Sequence, residues 1–230
     1  MKAFYSNAAF PAVPRKSASG EGSNLGPATV TSLRILQKVI RDYNITSMID
    51  IPCGDANWIF DAWETDSLML YIGLDNVRAV IDVNHQRFAH HANKEFRVWD
   101  GSNCPLPRYH VLGSSSGGNA PPRSAPVDLV HSRDVLQHLP LDQAVQFLCN
   151  VFMSGARFFV TTTYPNGDNS KISQGRNYRN DLFSHPFNLM RDETACTPTH
   201  PSVEDDETCV FDLTQPWVTT WIKNEKCGGG

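Results

Sequence analysis

Ser47-Met-Ile-Asp-Ile51-Pro-Cys-Gly-Asp-Ala-Asn-Trp58 is the stretch on which the fold turns. Its first five residues are a short apolar run, too short for a helix and closed by Pro52 and Gly54. A parallel strand buried on both faces reads this way. Upstream, Leu33, Leu36, Ile40 and Tyr43 recur at helical spacing after Pro27, with Asn44 as the stop. Downstream, Asn57 to Trp63 reads as a short helix and Leu68 to Leu74 as a strand ending at Asp75. Val77 to His90 reads as a helix, and Glu95 to Trp99 as a strand ending at Asp100. Val127 to His131 is a fourth strand. Leu141, Ala144, Val145, Leu148 and Phe152 form one helix face that Gly155 ends, and Arg157 to Thr163 is a fifth strand. Strands alternating with helices predict an α/β chain with a parallel sheet covered on both faces. From Tyr164 onward no clear helix is read. Val210 to Leu213 and Trp217 to Ile222 look like a closing hairpin-like pair around Pro216.

The flanks complete the layout. Residues 1–26 are rich in Ser, Gly, Pro and Ala and read as an arm, and residues 27–230 read as one domain. Within that domain, GSSSGGNAPPRSAP (113–126) is a low-complexity insertion. The 230 residues are 40% hydrophobic and 19% charged, enough apolar content for a packed core. A formal net charge of −4 disfavours a nucleic-acid binder that relies on a basic surface. No apolar run approaches the ~20 residues of a membrane span. Met1 to Ala12 lacks the basic and apolar regions of a signal peptide.

None of the six cysteines forms a C-x-x-C pair, which disfavours a structural zinc site. Cys149 reads as a buried thiol on a helix face, and Cys53 as a packing residue rather than a nucleophile. Cys196 and Cys209, in one polar region, are candidates for a disulfide, which would point to a secretory compartment.

Open α/β sheets bind ligands at the carboxyl ends of their strands, so the residues there carry the chemistry. An acidic residue ending the second strand can accept both hydroxyls of a ribose, and Asp75 stands 25 positions after Asp50. The loop after strand one has Gly54 but no G-x-G-x-x-G, so it is poorly suited to cradling a pyrophosphate. A ligand with a ribose and no phosphates fits better than a dinucleotide, which weighs against a dehydrogenase.

Four stretches in order then carry a resemblance: MIDIPCGDANW, YIGLDNV, FRVWDGSNCPLP and VDLVHSRDVLQHL. They resemble the first four motifs of class I S-adenosylmethionine-dependent methyltransferases. More narrowly, the chain is similar to a small branch with D-x-P-C-G-D-x-x-W, Y-I-G-x-D, R-D-x-x-x-H-L and T-T-T-[FY] stretches. The likeness runs from Ser19 to about Asn188. It implies a Rossmann-like class I methyltransferase fold with a mostly parallel seven-stranded sheet, and S-adenosyl-L-methionine as cofactor. Carried over by position, Gly54 lets the backbone approach the cofactor's methionine part, with Asp50 and Asp55 organising the loop. Asp75 holds the ribose, and Asp100 holds the adenine amino group beside Gly101 and Ser102. Trp58 packs nearby, and Ser19 to Ser23 close over the ligand. Cys53, Asn76 and His131 complete the implied cofactor set. Pro52 and Ala56 replace glycines common in the superfamily; the narrower branch shares the proline.

Methyl transfer from a sulfonium is an in-line displacement, so the acceptor must be aligned and made nucleophilic. Asp134 and His138 are four apart and would share a face on a helical turn. His138 is the expected base, with Asp134 orienting it or binding the acceptor, and Arg133 is the expected partner of Asp134. Tyr164, Asn166 and Arg179 belong to a polar acceptor region, 164–209, that contains the branch's R-x-[ND]-L-x-x-x-P-F segment at Arg179 to Phe187. Such a mixture suits a polyhydroxylated ligand, and Arg179 can fork to a carboxylate or ring hydroxyls. Arg176, Tyr178 and His185 also admit a solvated-loop reading, and Glu204 to Glu207 reads as exposed surface. No metal is expected, since Asp134 and His138 lack further nameable ligands. The expectation is an O-methyltransferase whose partner is a small-molecule or glycan acceptor. The alternatives are an N- or phenolic O-acceptor, or a methyltransferase-like binding module without activity.

Overall fold

Pro27 opens α1 (Pro27–Asp42) where a missing N–H costs nothing, and the Gly26 N–H donates to the Thr29 hydroxyl at 2.8 Å. Leu33, Leu36, Val39 and Ile40 bury one face. Asn44, at φ 51°, turns the chain into β1 (Ser47–Asp50). Asparagine tolerates this left-handed region better than most residues. The computed structural model describes residues 16, 17, 19, 21–111, 123–169, 178–199, 206–225 and 227. After β1 come α2 (Trp63–Asp66), β2 (Leu70–Asp75), α3 (Arg78–Arg87) and β3 (Lys94–Val98). Then follow β4 (Tyr109–Val111), β5 (Arg123–Ala125), β6 (Leu129–Ser132), α4 (Leu141–Phe152) and β7 (Phe158–Thr163). The chain closes with β8 (Thr194–Pro198), β9 (Glu207–Asp212) and α5 (Pro216–Asn224).

Seven strands form one sheet in the order β3-β2-β1-β6-β7-β9-β8. The first five are parallel; β9 runs antiparallel to both β7 and β8. Two apolar layers cover it. Met48, Tyr71, Leu129 and Val160 pack with α1 on one face, and Ile49, Ile72, Val130 and Phe159 pack with α4 and α5 on the other. Burial on both faces explains why these strands read as continuous apolar runs. The strand order reverses between β1 and β6, so a crevice opens at their carboxyl ends. No helix among the described residues is long and apolar enough to cross a membrane.

Several elements differ from the sequence reading. Residues 57–62 form turns, and helix begins only at Trp63. The Asp55 and Ala56 carbonyls accept from Arg87 Nη1, and Ala56 lies at φ 47°. The helix expected to reach His90 stops at Arg87. Arg123–Ala125, inside the expected insertion, pair as β5 with β4; the rest of that stretch, through residue 122, lies outside the described residues.

Trp217 to Ile222 is not a strand. Pro216 sits at the first position of α5, and Trp217, Val218 and Trp221 turn inward together. Phe152 meets Trp221 at 4.8 Å between ring centroids, and the Trp221 indole donates to the Phe187 carbonyl at 2.5 Å. Packing overrides the strand preference of these aromatic and β-branched residues. Cys149 is not a free thiol, since it is bonded to Cys227, 78 positions away, which ties the end of α5 to α4. Cys196 and Cys209 are bonded as facing partners of β8 and β9. Glu207 sits in β9 and pairs with Arg191 at 2.6 Å, while Glu204 and Asp205 lie outside the described residues, as does Arg176.

Candidate active site

A cavity of about 800 Å³ opens where β1, β2, β3 and β6 end. Asp50, the last residue of β1, is buried and held on both oxygens. Tyr71 donates its hydroxyl to Oδ2 at 2.6 Å, and His131 Nδ1 meets Oδ1 at 2.7 Å. Parallel register puts Asp50 directly beside His131, and Tyr71 is two residues before Gly73, the partner of Asp50 on β2. All three side chains therefore share one face of the sheet. A carboxylate only accepts hydrogen bonds, so the imidazole proton lies on Nδ1, and in the neutral ring Nε2 is left as an acceptor. Burial, and then the charge of Asp50, push the Tyr71 hydroxyl well above its ordinary range. Trp58 packs edge-on to His131, with ring centroids 6.1 Å apart.

The loop after β1 is fastened from below. Asp75 accepts from the Gly54 N–H through Oδ2 at 3.0 Å and from the Val77 N–H through Oδ1 at 2.9 Å. Each oxygen keeps lone pairs for a ligand. Burial raises the Asp75 carboxyl above its usual range, against the pull of these two donors. The buried Asn84 of α3 donates to the Gly54 carbonyl at 2.7 Å.

From above, the N-terminal segment closes the same loop. Ser17 donates to Asp55 Oδ1 at 2.9 Å, the Asp55 N–H donates to Ser19 Oγ at 2.9 Å, and Asn57 Nδ2 donates to the Ser23 carbonyl at 3.3 Å. Gly54 sits at φ +52°, and a Cβ there would come within 2.5 Å of Ser19 Oγ, so glycine is required on both counts. The Gly54 and Asp55 N–H groups are thus already engaged and are not offered to a phosphate.

At the end of β3, Asp100 binds the Ser102 N–H and hydroxyl through Oδ1 at 3.0 and 2.6 Å, and Asn103 Nδ2 through Oδ2 at 2.6 Å. The Ser102 hydroxyl foremost holds its carboxyl below the usual range. Asn150 of α4 fixes the Gly101 carbonyl at 2.7 Å. Past β6, Asp134 lies at φ 55°, which breaks the expected helical turn; only Leu136–His138 form a 3-10 turn. Asp134 is bound by Arg133 Nη2 at 2.9 Å and by the Tyr164 hydroxyl at 3.3 Å. His138 is exposed at the cavity wall, and Asp134 makes no bond to it among the described residues. Burial and then Asp134 push the Tyr164 hydroxyl up, with the Gln137 amide beside it.

The structure thus brings together around one cavity Ser23, Asp50, Cys53, Gly54, Asp55, Trp58, Asp75, Asn76, Asp100, Gly101, Ser102, His131, Arg133, Asp134 and His138. Tyr164 reaches the cavity through Asp134 and Gln137, and Asn166 and Arg179 are not among the lining residues. Tyr71, Asn84, Trp99 and Gln137 were not singled out from the sequence. Trp99 Nε1, Arg133 Nε and Gln137 Oε1 belong to lining residues and are buried without a partner among the described residues. A buried polar atom left unpaired costs about 1–3 kcal/mol, so three of them in residues that line one cavity mark polar surroundings for a ligand. Five aspartates and one arginine line the cavity among the described residues, which favours a cationic ligand.

Cys53 lies inside this loop, and burial first, then Asp50 and Asp75, raise its thiol far above the ordinary range. Cys104 is exposed. Iodoacetamide at pH 8 is expected to alkylate Cys104 in the native protein and spare Cys53 until denaturant is added. Mass spectrometry of the labelled peptides checks this, and equal labelling of both would contradict the burial of Cys53.

No family model and no curated protein matches this chain. Among solved structures it is similar to the S-adenosylmethionine-dependent methyltransferase SibL, with a TM-score of 0.55 at 13% identity. The match covers 80% of this chain and 55% of SibL, so the chain spans little more than half of that protein. It is also similar to magnesium protoporphyrin IX methyltransferase (ChlM) from Synechocystis PCC 6803 with bound SAM. There the TM-score is 0.54 at 14% identity, over 80% of this chain and 78% of that one. The methyltransferase domain of bacterial CtHen1 gives 0.52 at 13% identity, over 80% and 99%. At such identities the likeness establishes architecture. This chain has the Rossmann-like, seven-stranded, mostly parallel fold found in these methyltransferases.

Proposed function

We propose that this chain is an S-adenosylmethionine-dependent O-methyltransferase, of the small branch its motifs resemble, acting on a hydroxyl of a sugar or glycan. One observation carries the reading. Asp75 offers both carboxylate oxygens at the strand-two end, while the Gly54 and Asp55 N–H groups of the neighbouring loop are already taken and not offered to a phosphate. A nucleoside with a cationic rather than a phosphorylated tail fits that pattern, as do the five aspartates around it.

In this reading Asp75 takes the ribose hydroxyls, and Asp100, Gly101 and Ser102 flank the adenine, with Trp99 Nε1 as a further donor. Asp50 fixes the His131 tautomer so that Nε2 accepts from the ammonium of the methionine part. The cofactor supplies a methyl group on a positively charged sulfur, already a good leaving group. The protein's task is then alignment and proton removal. Asp134 and Gln137 accept hydrogen bonds from the acceptor, and Tyr164 positions Asp134. His138, exposed at the wall, takes the hydroxyl proton. Because Asp134, Gln137 and His138 would serve as acceptors, the acceptor side suits hydroxyls better than carboxylates or phosphates.

Asp75→Ala is expected to weaken S-adenosylhomocysteine binding by about 1–3 kcal/mol through loss of charge-assisted hydrogen bonds. Calorimetry checks this, and wild-type affinity in that variant would remove the ribose assignment. Release of S-adenosylhomocysteine from S-adenosylmethionine with methyl glycosides or oligosaccharides tests the acceptor class. Turnover confined to phenols or amines would eliminate the sugar.

A further inference from the structure

Arg133 is the one lysine or arginine among the described residues lining the cavity. Its guanidinium is already engaged twice. Nη1 donates to the Gly22 carbonyl at 2.7 Å, and Nη2 meets Asp134 Oδ2 at 2.9 Å. The group lies 5.9 Å from the centre of the Trp58 ring, and its side chain is 10% exposed. Nε is buried and has no partner among the described residues. An arginine offers five N–H donors in a rigid fork and keeps its charge, so a cavity-lining guanidinium with only two of its donors engaged among the described residues suits an anionic group on a ligand. Of the groups that S-adenosylmethionine carries, only the α-carboxylate is anionic. The acidic side chains lining the cavity among the described residues, five aspartates, would repel it.

We propose that the Arg133 guanidinium binds the α-carboxylate of the cofactor and, through Nη1, ties that carboxylate to the N-terminal segment. This inference rests on the methyltransferase reading and moves Arg133 from the acceptor to the cofactor. The segment reaches the loop after β1 through Ser17, Ser19 and Ser23, whereas Arg133 holds it from the β6 side. A bound carboxylate orients the guanidinium that grips Gly22, so occupancy of the cavity and seating of the segment reinforce each other. The same fork sets Asp134, and cofactor binding therefore positions the acceptor-side carboxylate as well.

The test compares S-adenosylhomocysteine with S-adenosyl-3-thiopropylamine, which keeps the nucleoside and amine but lacks the carboxylate. Calorimetry on the wild type is expected to show a roughly 10- to 100-fold preference for S-adenosylhomocysteine. Arg133→Met is expected to erase that preference, and Arg133→Lys to keep part of it, since an ammonium retains the charge without the fork. Hydrogen exchange at residues 22–24 is expected to slow with S-adenosylhomocysteine in the wild type. It should not slow with the decarboxylated compound or in Arg133→Met. Equal affinity of the wild type for the two compounds overturns the assignment without any variant, as does an undiminished preference in Arg133→Met. If the wild type binds neither compound, the methyltransferase reading falls and this inference falls with it.

Discussion

Asp50→Ala is expected to cost about 3–5 kcal/mol of stability, the range for removing one partner of a buried, hydrogen-bonded charged group. Asp50 is 4% exposed, and both its oxygens accept from groups equally out of water, Tyr71 and His131. Truncation leaves a buried phenol O–H and a buried imidazole N–H without their acceptor, and it opens space between three strands. Asp50→Asn is expected to be milder, because its carbonyl oxygen still serves one donor. Urea unfolding checks both. The midpoint should fall with the slope unchanged, and stability within about 0.5 kcal/mol of wild type would show that the pairing carries no weight. Because Asp50 sets the proton on His131 Nδ1, the milder variant is also expected to weaken S-adenosylhomocysteine binding while it remains folded.

Cys227→Ser is the second large effect, expected at about 4–5 kcal/mol on the chain-entropy model for so long a loop. The bond to Cys149 spans 78 positions and fastens the end of α5 against α4, where Trp217 and Trp221 flank Phe152. Without it the unfolded chain regains the freedom of most of its carboxyl-terminal third. The Cys196–Cys209 bond encloses only 13 positions, and its loss is expected to cost about 3 kcal/mol. Denaturation with and without reductant, on the wild type and on Cys227→Ser, separates the two. A reduced wild type with an unchanged midpoint would exclude stabilisation by either bond. Two such bonds also suit folding in an oxidising compartment.

The parallel half of the sheet was legible because strands buried on both faces must be apolar throughout, and β1, β2, β6 and β7 each show that run between turn residues. Asp75 and Asp100 were legible for a related reason: an acid at the end of such a strand stands at the ligand edge. The turn at Asp134 was not legible. Four-residue spacing places Asp134 and His138 on one helical face, but the left-handed conformation at Asp134 sends the acid toward Arg133 and Tyr164 instead. Tyr71 and Asn84 also escaped notice, since an aromatic in a strand and an amide in a helix look ordinary until their partners are known.

The amino-acid order alone determined the alternating layers, the strand ends that carry acids, and a loop short of glycine, because these depend on periodicity and on residues adjacent in the chain. Tertiary structure alone decided that Tyr71 and His131 hold Asp50, that Arg133 joins the amino-terminal segment to Asp134, that Cys149 meets Cys227, and that Trp217 to Ile222 coil instead of extending. Each of these unites residues far apart in the chain, and its free energy comes from burial and pairing that no local window contains.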